Sequence, residues 1–568
     1  MQKAYFVIVI LLFLLCTEIV GQSADLPHNS LSRHLFDRLQ LLTGIESKIR
    51  PEFGNFPRKD VADWAHHADS LSVGWSRRDK QDLQFLILDN EDNIPPQYLS
   101  SSTVKKPFKL FYKDKAHLYA VNKRDFSLRV NPMVQFALGP ESGDREWLFI
   151  NQRGIELRGI VDQRIYFYTN VLETQARYPT YVRDWRTDYQ SLPTAGFVKP
   201  YNPRDYNPIL PNVTDGVDFN VATAYMGYRM TKNVSIQVGH GRQFIGNGYR
   251  SLWLSEVGAP LFSVKLNTRI WRFQYQNLFT EITSRKPSSG GDKLLPKRYA
   301  AIHYLNYRAT PRLSFGLYEA VMFSRADHFE FQYLNPLILY RTVEGMIGSP
   351  DNVLIGLDGR WDLFKRLRVY GQMILDEFDY DELVNPKLSG YWANKYGLQA
   401  GFKYFNVAEI DHLDLQVEWN RVRPFTYSHF DSLSSYTHYN QPLAHPLWAN
   451  FNEWFSMLTY RPTFRLTATA RWMHALKGEN ETGKNWGANP LITYKSRVSD
   501  YGNVVGQGLQ YRINLIGIDL SYMFFHNMFV DIGMLIRRSK QANSVNHEQI
   551  TVYKLGIRMN VWNQNLDF

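Results

Sequence analysis

TVYKLGIRMNVWNQNLDF, residues 551–568, lies at the end of the chain. Tyr553, Leu555, Ile557, Met559 and Val561 are apolar, while Lys554, Gly556, Arg558 and Asn560 between them are not. An extended strand with this alternation has one greasy face and one wet face. If the greasy face meets a protein core, this is a strand of a soluble sandwich or propeller. If it meets lipid, the chain is a transmembrane barrel.

Working back from this strand, the same period of two recurs to Phe126. FSLRVNPMVQFAL sets Phe126, Leu128, Val130, Val134, Phe136 and Leu138 opposite Arg129, Asn131 and Gln135. Such runs number about 18, each near ten residues. Short connections such as VDQR, TKN, NTR, ATPR, FKR, RPT and FFHNM alternate with long ones, 175–216, 241–260, 283–297, 324–351, 378–394, 423–450 and 475–507. The long and short ends therefore segregate to opposite sides of one sheet, as in an outer-membrane barrel with tight periplasmic turns and long outside loops. A soluble sandwich predicts strands nearer five or six residues, and a propeller predicts a blade repeat that the sequence lacks. A transporter of about 22 strands needs a longer plug than the residues before 126 supply.

MQKAYFVIVILLFLLCTEIVG, residues 1–21, has basic Lys3, an apolar run from Ala4 to Leu15 and small Gly21, and reads as a cleaved signal peptide. Cys16 is the only cysteine, and Leu15 stands where a lipobox needs a small residue. Export without disulfides favours a closed, hydrogen-bonded barrel. Residues 25–100 change period: Leu31, Leu35, Leu39 and Leu42 fall at helical spacing, DVADWAHHADSL continues in that style, and Ser76 caps a third helix. This predicts a helical periplasmic module over 25–100, a linker over 101–125 and the barrel over 126–568. An even strand number puts the module and Phe568 on the same, periplasmic, side. The net charge of +11 suits lipid head groups or acidic glycans, and export argues against nucleic acid. Aromatic residues make up 15% of the chain, which fits interfacial girdles or sugar-stacking surfaces. The wet faces should line the lumen with Arg129, Gln135, Arg471, Arg512 and Arg558, so Leu555→Arg should hinder assembly and Arg558→Leu should not.

The richest stretch for chemistry is VGHGRQFIGNGYRSLWLSEVGAPLFSVKLNTRIW, residues 238–271. Its glycines permit close backbone approach, and His240, Arg242, Gln243, Asn247, Arg250 and Trp253 concentrate donors and one stacking surface. They are candidates for gripping a glycan or an anion. The competing reading is a barrel-mouth turn whose glycines let the chain fold inward. The glycine spacing fits neither the dinucleotide fingerprint nor a P-loop. Asp376, Asp379, Asp381 and Glu382 offer oxygens for calcium but lack the glycine and terminal glutamate of an EF-hand loop. With no H-E-x-x-H, paired-cysteine or G-x-S-x-G pattern, no metal, cofactor or catalytic role is expected.

Closely spaced glycines followed by Ser251, Leu252, Trp253, Leu254 and Ser255, then Pro260 and a new strand, resemble the Wzi family of capsule-assembly outer-membrane proteins. That resemblance implies an 18-stranded barrel with a periplasmic helical bundle that anchors capsular polysaccharide at the cell surface. Phe244, Ile245 and Asn247 stand where Wzi-like members carry Trp and Pro near the glycine pair. LFDRLQLLTG and the KLNTRIWRFQYQNLFTE hairpin make the chain resemble still more the gliding-motility proteins of the RemB type. Phe568 resembles the terminal aromatic residue that the barrel-assembly machinery recognises. The expectation is a non-enzymatic outer-membrane barrel linked to gliding motility or surface adhesion, with motility-apparatus partners. Capsule or exopolysaccharide attachment is the alternative, and a passive porin the third.

Overall fold

The computed structural model describes residues 23–90, 116–201, 213–284, 295–325, 329–337, 339–348, 350–384, 389–542, 544, 547–564 and 566–568. The expected signal peptide, and the first part of the expected linker, lie outside these residues.

Among the described residues, twenty strands form one antiparallel sheet, and two of them, Tyr119–Lys123 and Lys199–Tyr201, are short additions at its rims. The other eighteen close a barrel. They are β1 (Phe126–Gly139), β2 (Leu148–Val161), β3 (Ile165–Arg177), β4 (Gly216–Arg229), β5 (Val234–Gly241), β6 (Leu261–Ile270), β7 (Phe273–Thr283), β8 (Lys297–Thr310) and β9 (Leu313–Phe323). There follow β10 (Asn352–Leu363), β11 (Leu367–Glu377), β12 (Lys395–Tyr404), β13 (Leu413–Val422), β14 (Phe451–Tyr460), β15 (Leu466–Glu479), β16 (Leu509–Phe525), β17 (Met528–Gln541) and β18 (His547–Met559). Closure is made by β18 against β1, where Leu555 faces Leu138 and Met559 faces Val134. Each run expected from the sequence falls on one of these strands. Tyr119–Lys123, within the expected linker, pairs with the first residues of β1.

Tight turns close one end. Asp162 and Gln163 both take positive φ, as do Phe364 and Lys365, which matches the twist of two-residue hairpins. Outward side chains form an apolar belt: Ile516, Ile518, Leu520 and Tyr522 on β16, and Tyr553, Leu555 and Ile557 on β18, are exposed. Trp271, Trp361 and Phe364 flank it at the short-turn end, with Trp147 and Trp454 toward the other, as interfacial aromatics do. Arg129, Gln135, Arg471 and Arg558 face inward and are buried. Arg512 does not. It is exposed near the long-loop end of β16, because there the inward positions are Ile513 and Leu515, packed against chain that fills the lumen.

The helical module caps the short-turn end. Helices α1 (Leu31–Thr43), α2 (Arg58–Ser70) and α3 (Arg77–Asp89) bury Leu35, Leu39, Val61, Trp64 and Leu86 together with Met523 and Phe529 of the wall. Ser30 and Ser76 accept backbone N–H bonds at the starts of α1 and α3. Arg461 grips Asp82 with both guanidinium nitrogens at 2.7 and 2.9 Å. Lys403 bonds Asp37 at 2.9 Å, and Arg308 reaches the carbonyls of Ser47 and Ile49. Asp79, Asp82 and His412 converge closely enough to suggest a metal site. Arg38 and Arg461 already neutralise the two carboxylates.

Chain also enters from the long-loop end. Helix α4 (Thr180–Tyr189) and the loops 242–260 and 423–450 fold inward around one core that includes Trp253, Tyr427, Tyr436 and Trp448. The tail after β18 enters too, which corrects the expectation of a periplasmic Phe568. At Asn560, φ is 54° and reverses the chain. Arg471 then holds the Asp567 carboxylate, Arg537 donates to the Phe568 carbonyl at 3.0 Å, and the Phe568 ring packs on Trp185 of α4. The last strand ends at the short-turn side, yet inward-facing arginines draw the tail up into the lumen.

Candidate functional site

Loop 242–260 is built to enter the lumen. Its tip meets the helical module: the Gly246 N–H donates to the Glu52 carbonyl at 2.8 Å. The backbone of Phe244 passes so close to Gly54 that a Cβ there would lie 2.2 Å from the Phe244 carbonyl oxygen. The six candidate residues divide accordingly. Arg250 forms an ion pair with Glu453 at 3.1 Å, and its N–H is held by Glu418 at 3.1 Å. Asn247 reaches Asp358 at 3.5 Å. Trp253 is fully buried, stacked on Tyr318 with centroids 4.7 Å apart and donating to the Met373 carbonyl at 2.9 Å. Arg242 and Arg250 line one internal cavity with Tyr249, Ser255 and Asp567. Asn247 and Tyr249 line a second, of about 290 Å³, between the module and β13–β16. Gln243 is half-buried, and His240 points outward on β5 beside Lys199, Asn220 and Tyr439. The stretch thus gathers Arg242, Asn247, Arg250 and Trp253 inside and leaves His240 outside.

A different set of residues forms a surface at the long-loop end. Connections 378–394 and 480–508 are stitched by backbone bonds: Trp392 N–H to the Asp500 carbonyl at 2.8 Å, Gly502 N–H to Ser389 at 3.0 Å and Asn503 N–H to Gly390 at 2.9 Å. Gly390 has φ 74°, and a Cβ there would sit 2.6 Å from the Asn503 nitrogen, so glycine is required. This seam sets Trp392 4.6 Å from the Tyr494 ring and Tyr391 5.3 Å from the Tyr501 ring. The Arg497 guanidinium lies 4.2 Å over Trp392, and the Lys495 ammonium 4.9 Å over Phe430. Tyr380, Phe430 and Tyr501 are exposed. Burial, then Glu382, Asp379 and Asp500 nearby, raises the Tyr391 hydroxyl above its ordinary pKa, so it stays a neutral donor. The exposed Tyr380, Phe430 and Tyr501 rings beside the half-buried Tyr391, Trp392 and Tyr494, flanked by both signs of charge, suit a hydroxyl-rich ligand that stacks and hydrogen-bonds at once.

The acidic run 376–382 disperses instead of forming a cation site. Asp376 faces inward to Lys395 at 3.1 Å and accepts from the Tyr427 N–H, while Asp379 closes its own turn by accepting from the Asp381 and Glu382 N–H groups. Sequence reasoning missed the aromatic surface because its two halves lie about a hundred residues apart in the chain. The signal was present in the aromatic content of two long connections, GYW at 390–392 and the tyrosines at 494 and 501.

Residues 120–552 match the family model described as capsule assembly protein Wzi. Among solved structures, the chain is similar to Wzi of Escherichia coli, described as an outer membrane protein involved in group 1 capsule assembly and a carbohydrate-binding β-barrel. The identity is 12%, the TM-score 0.55, and the match covers 95% of this chain and 100% of that one. OprD of Pseudomonas aeruginosa matches at 10% identity and a TM-score of 0.41, covering 77% of this chain and 93% of that one. OccAB2 of Acinetobacter baumannii matches at 10% identity and a TM-score of 0.40, covering 76% and 97%. No curated protein matches the sequence. The expected link to gliding-motility proteins finds no support in these comparisons.

Proposed function

The chain belongs to the Wzi family of capsule assembly proteins, and from that premise we propose that this outer-membrane barrel attaches a surface polysaccharide through its long-loop face. The observation that carries the reading is the paired-loop aromatic surface of Tyr391, Trp392, Tyr494 and Tyr501, with Arg497 and Lys495 alongside. In this reading the long loops face outside, the module and tight turns face the periplasm, and the barrel-assembly machinery inserts the chain before the tail is seated. The role is binding, without catalysis.

The test uses the protein in detergent micelles and purified capsular or exopolysaccharide from the producing cells. Trp392→Ala and Tyr501→Ala should each weaken binding roughly tenfold, since a stacked ring contributes about 0.5–1.5 kcal/mol beyond its buried area. Phe364→Ala, at the opposite end of the barrel, should leave binding unchanged. Equal binding by all variants would place the glycan elsewhere. Gene deletion separates this role from motility: polysaccharide shed into the medium with normal spreading supports attachment, and lost spreading with normal capsule contradicts it.

A further inference from the structure

The connection between β9 and β10, residues 324–351, folds down the outer wall of the barrel in its described parts. Its ends are clamped by Arg325, which holds the Asp351 carboxylate through both guanidinium nitrogens at 2.7 and 2.8 Å; Tyr333 donates to the same carboxylate at 2.7 Å. Tyr333, Tyr340 and Val343 pack on Ala301, Val321, Phe323 and Val353.

Beneath them runs a row that does not belong on a lipid-facing wall. Asn277, His303 and Glu319 are cross-strand neighbours on β7, β8 and β9, they alternate with inward positions, and all three are buried. Left open to hydrocarbon, such groups destabilise a barrel. Here each serves the segment that covers it. The Tyr275 hydroxyl and the Asn277 amide donate to the Pro336 carbonyl at 2.6 and 3.4 Å. Glu319 accepts from the Arg341 N–H at 3.0 Å, in the first turn of helix α5 (Tyr340–Met346), and the His303 ring lies 3.8 Å from that of Tyr340. Irregular backbone tolerates a medium without water only where protein supplies its hydrogen bonds, and the wall does so here.

The opposite side of the segment is largely apolar, with Gln332, Asn335, Thr342 and Arg341 exposed beside it, the last paired to the buried Glu344 at 2.7 Å. Phe331, Leu334, Leu337, Leu339 and Met346 are exposed, Leu337 to 87%. They continue the exposed row of Phe315, Leu317, Ile355 and Leu357 on β9 and β10, which is part of the lipid belt.

We infer that residues 329–337 and 339–347 form an amphipathic flap embedded among the acyl chains of the leaflet nearest the long loops. Its apolar side replaces the wall as the lipid contact, and the outward polar row of the barrel exists to satisfy its backbone. The flap thereby widens the hydrophobic perimeter of the barrel on one side.

The test places nitroxide labels at Leu337→Cys and Met346→Cys, in the full chain carrying Cys16→Ser and reconstituted in phospholipid nanodiscs. Collision with oxygen is compared with collision with a water-soluble nickel chelate. Both sites should favour oxygen as strongly as Leu555→Cys in the belt, while Tyr501→Cys favours nickel. Nickel-favoured collisions at 337 and 346 beside an oxygen-favoured Leu555→Cys overturn the inference, as does inaccessibility to both agents, which would mean that protein covers the face. A label-free check is hydrogen exchange of the unmodified chain. Peptides within 340–347 should exchange at least tenfold more slowly than those within 494–504, and equal rates overturn the embedding.

Discussion

At the scale of the residue, alternation told which way most side chains point, and the partners of those side chains came only from the folded chain. Leu555 lies on the exposed apolar belt, so Leu555→Arg should cost about 2–4 kcal/mol if it sits near the membrane midplane. The check is a lower folded fraction in a heat-modifiability gel. Arg558, expected to tolerate loss, is buried, and its Nε lies 2.6 Å from the Asp531 carboxylate. Arg558→Leu therefore strands a buried charge and should cost about 3–5 kcal/mol. The double variant Arg558→Leu with Asp531→Asn should recover most of that loss, whereas Asp531→Asn should not rescue Leu555→Arg. Trp253 makes the same point. Its type and glycine-rich setting suggested a stacking surface, yet the ring is enclosed by Tyr318 and Tyr304. No local pattern distinguishes an offered ring from an enclosed one.

At the scale of the element, the helical module and the tail were legible to different degrees. The leucine spacing announced α1, and Ser76 announced α3, as helices, and their docking could be seen only once Arg461, Lys403 and Arg308 had been brought to one end of the barrel. His412, in the turn between β12 and β13, packs into this joint near Asp82 at 3.6 Å. Burial, then the Arg38 guanidinium, lowers its pKa to about 4. A base with a depressed pKa adds stability that is full above its ordinary value near 6.5 and is lost as pH falls toward 4. The joint should therefore loosen between pH 6.5 and 4, seen as faster hydrogen exchange in α1 and α3, and His412→Gln should flatten that part of the profile. The tail is read from NQNLDF as a continuation past the last strand, but its inward course depends on Arg471 and Arg537 of two other strands. Asp567→Ala leaves Arg471 with Asp519 alone and should lower the temperature of the heat-modifiable transition by several degrees, by breaking a buried pair. An unchanged transition would mean that the tail contributes little.

At the scale of the whole molecule, the lumen is occupied from both ends, by the module and the tail entering from the short-turn end and by α4 and two loops from the long-loop end. Purified protein in planar bilayers should show no steady conductance, and porin-like currents would contradict this packing. The sequence by itself determined a barrel of about eighteen strands, the segregation of short turns from long loops and the existence of a helical module. Each is written in local periodicity and turn chemistry, which neighbours along the chain enforce. Only the tertiary structure decided that the glycine-rich loop and the tail fill the barrel, that the connection after β9 lies on its outer wall, and that two long loops join into one aromatic surface. Those outcomes depend on contacts between residues about a hundred or more positions apart, such as Arg250 with Glu453, Arg471 with Asp567 and Trp392 with Arg497. Such contacts arise when closure of the sheet sets inward-facing charges and rings around a common interior, and that arrangement has no signature in any single stretch of chain.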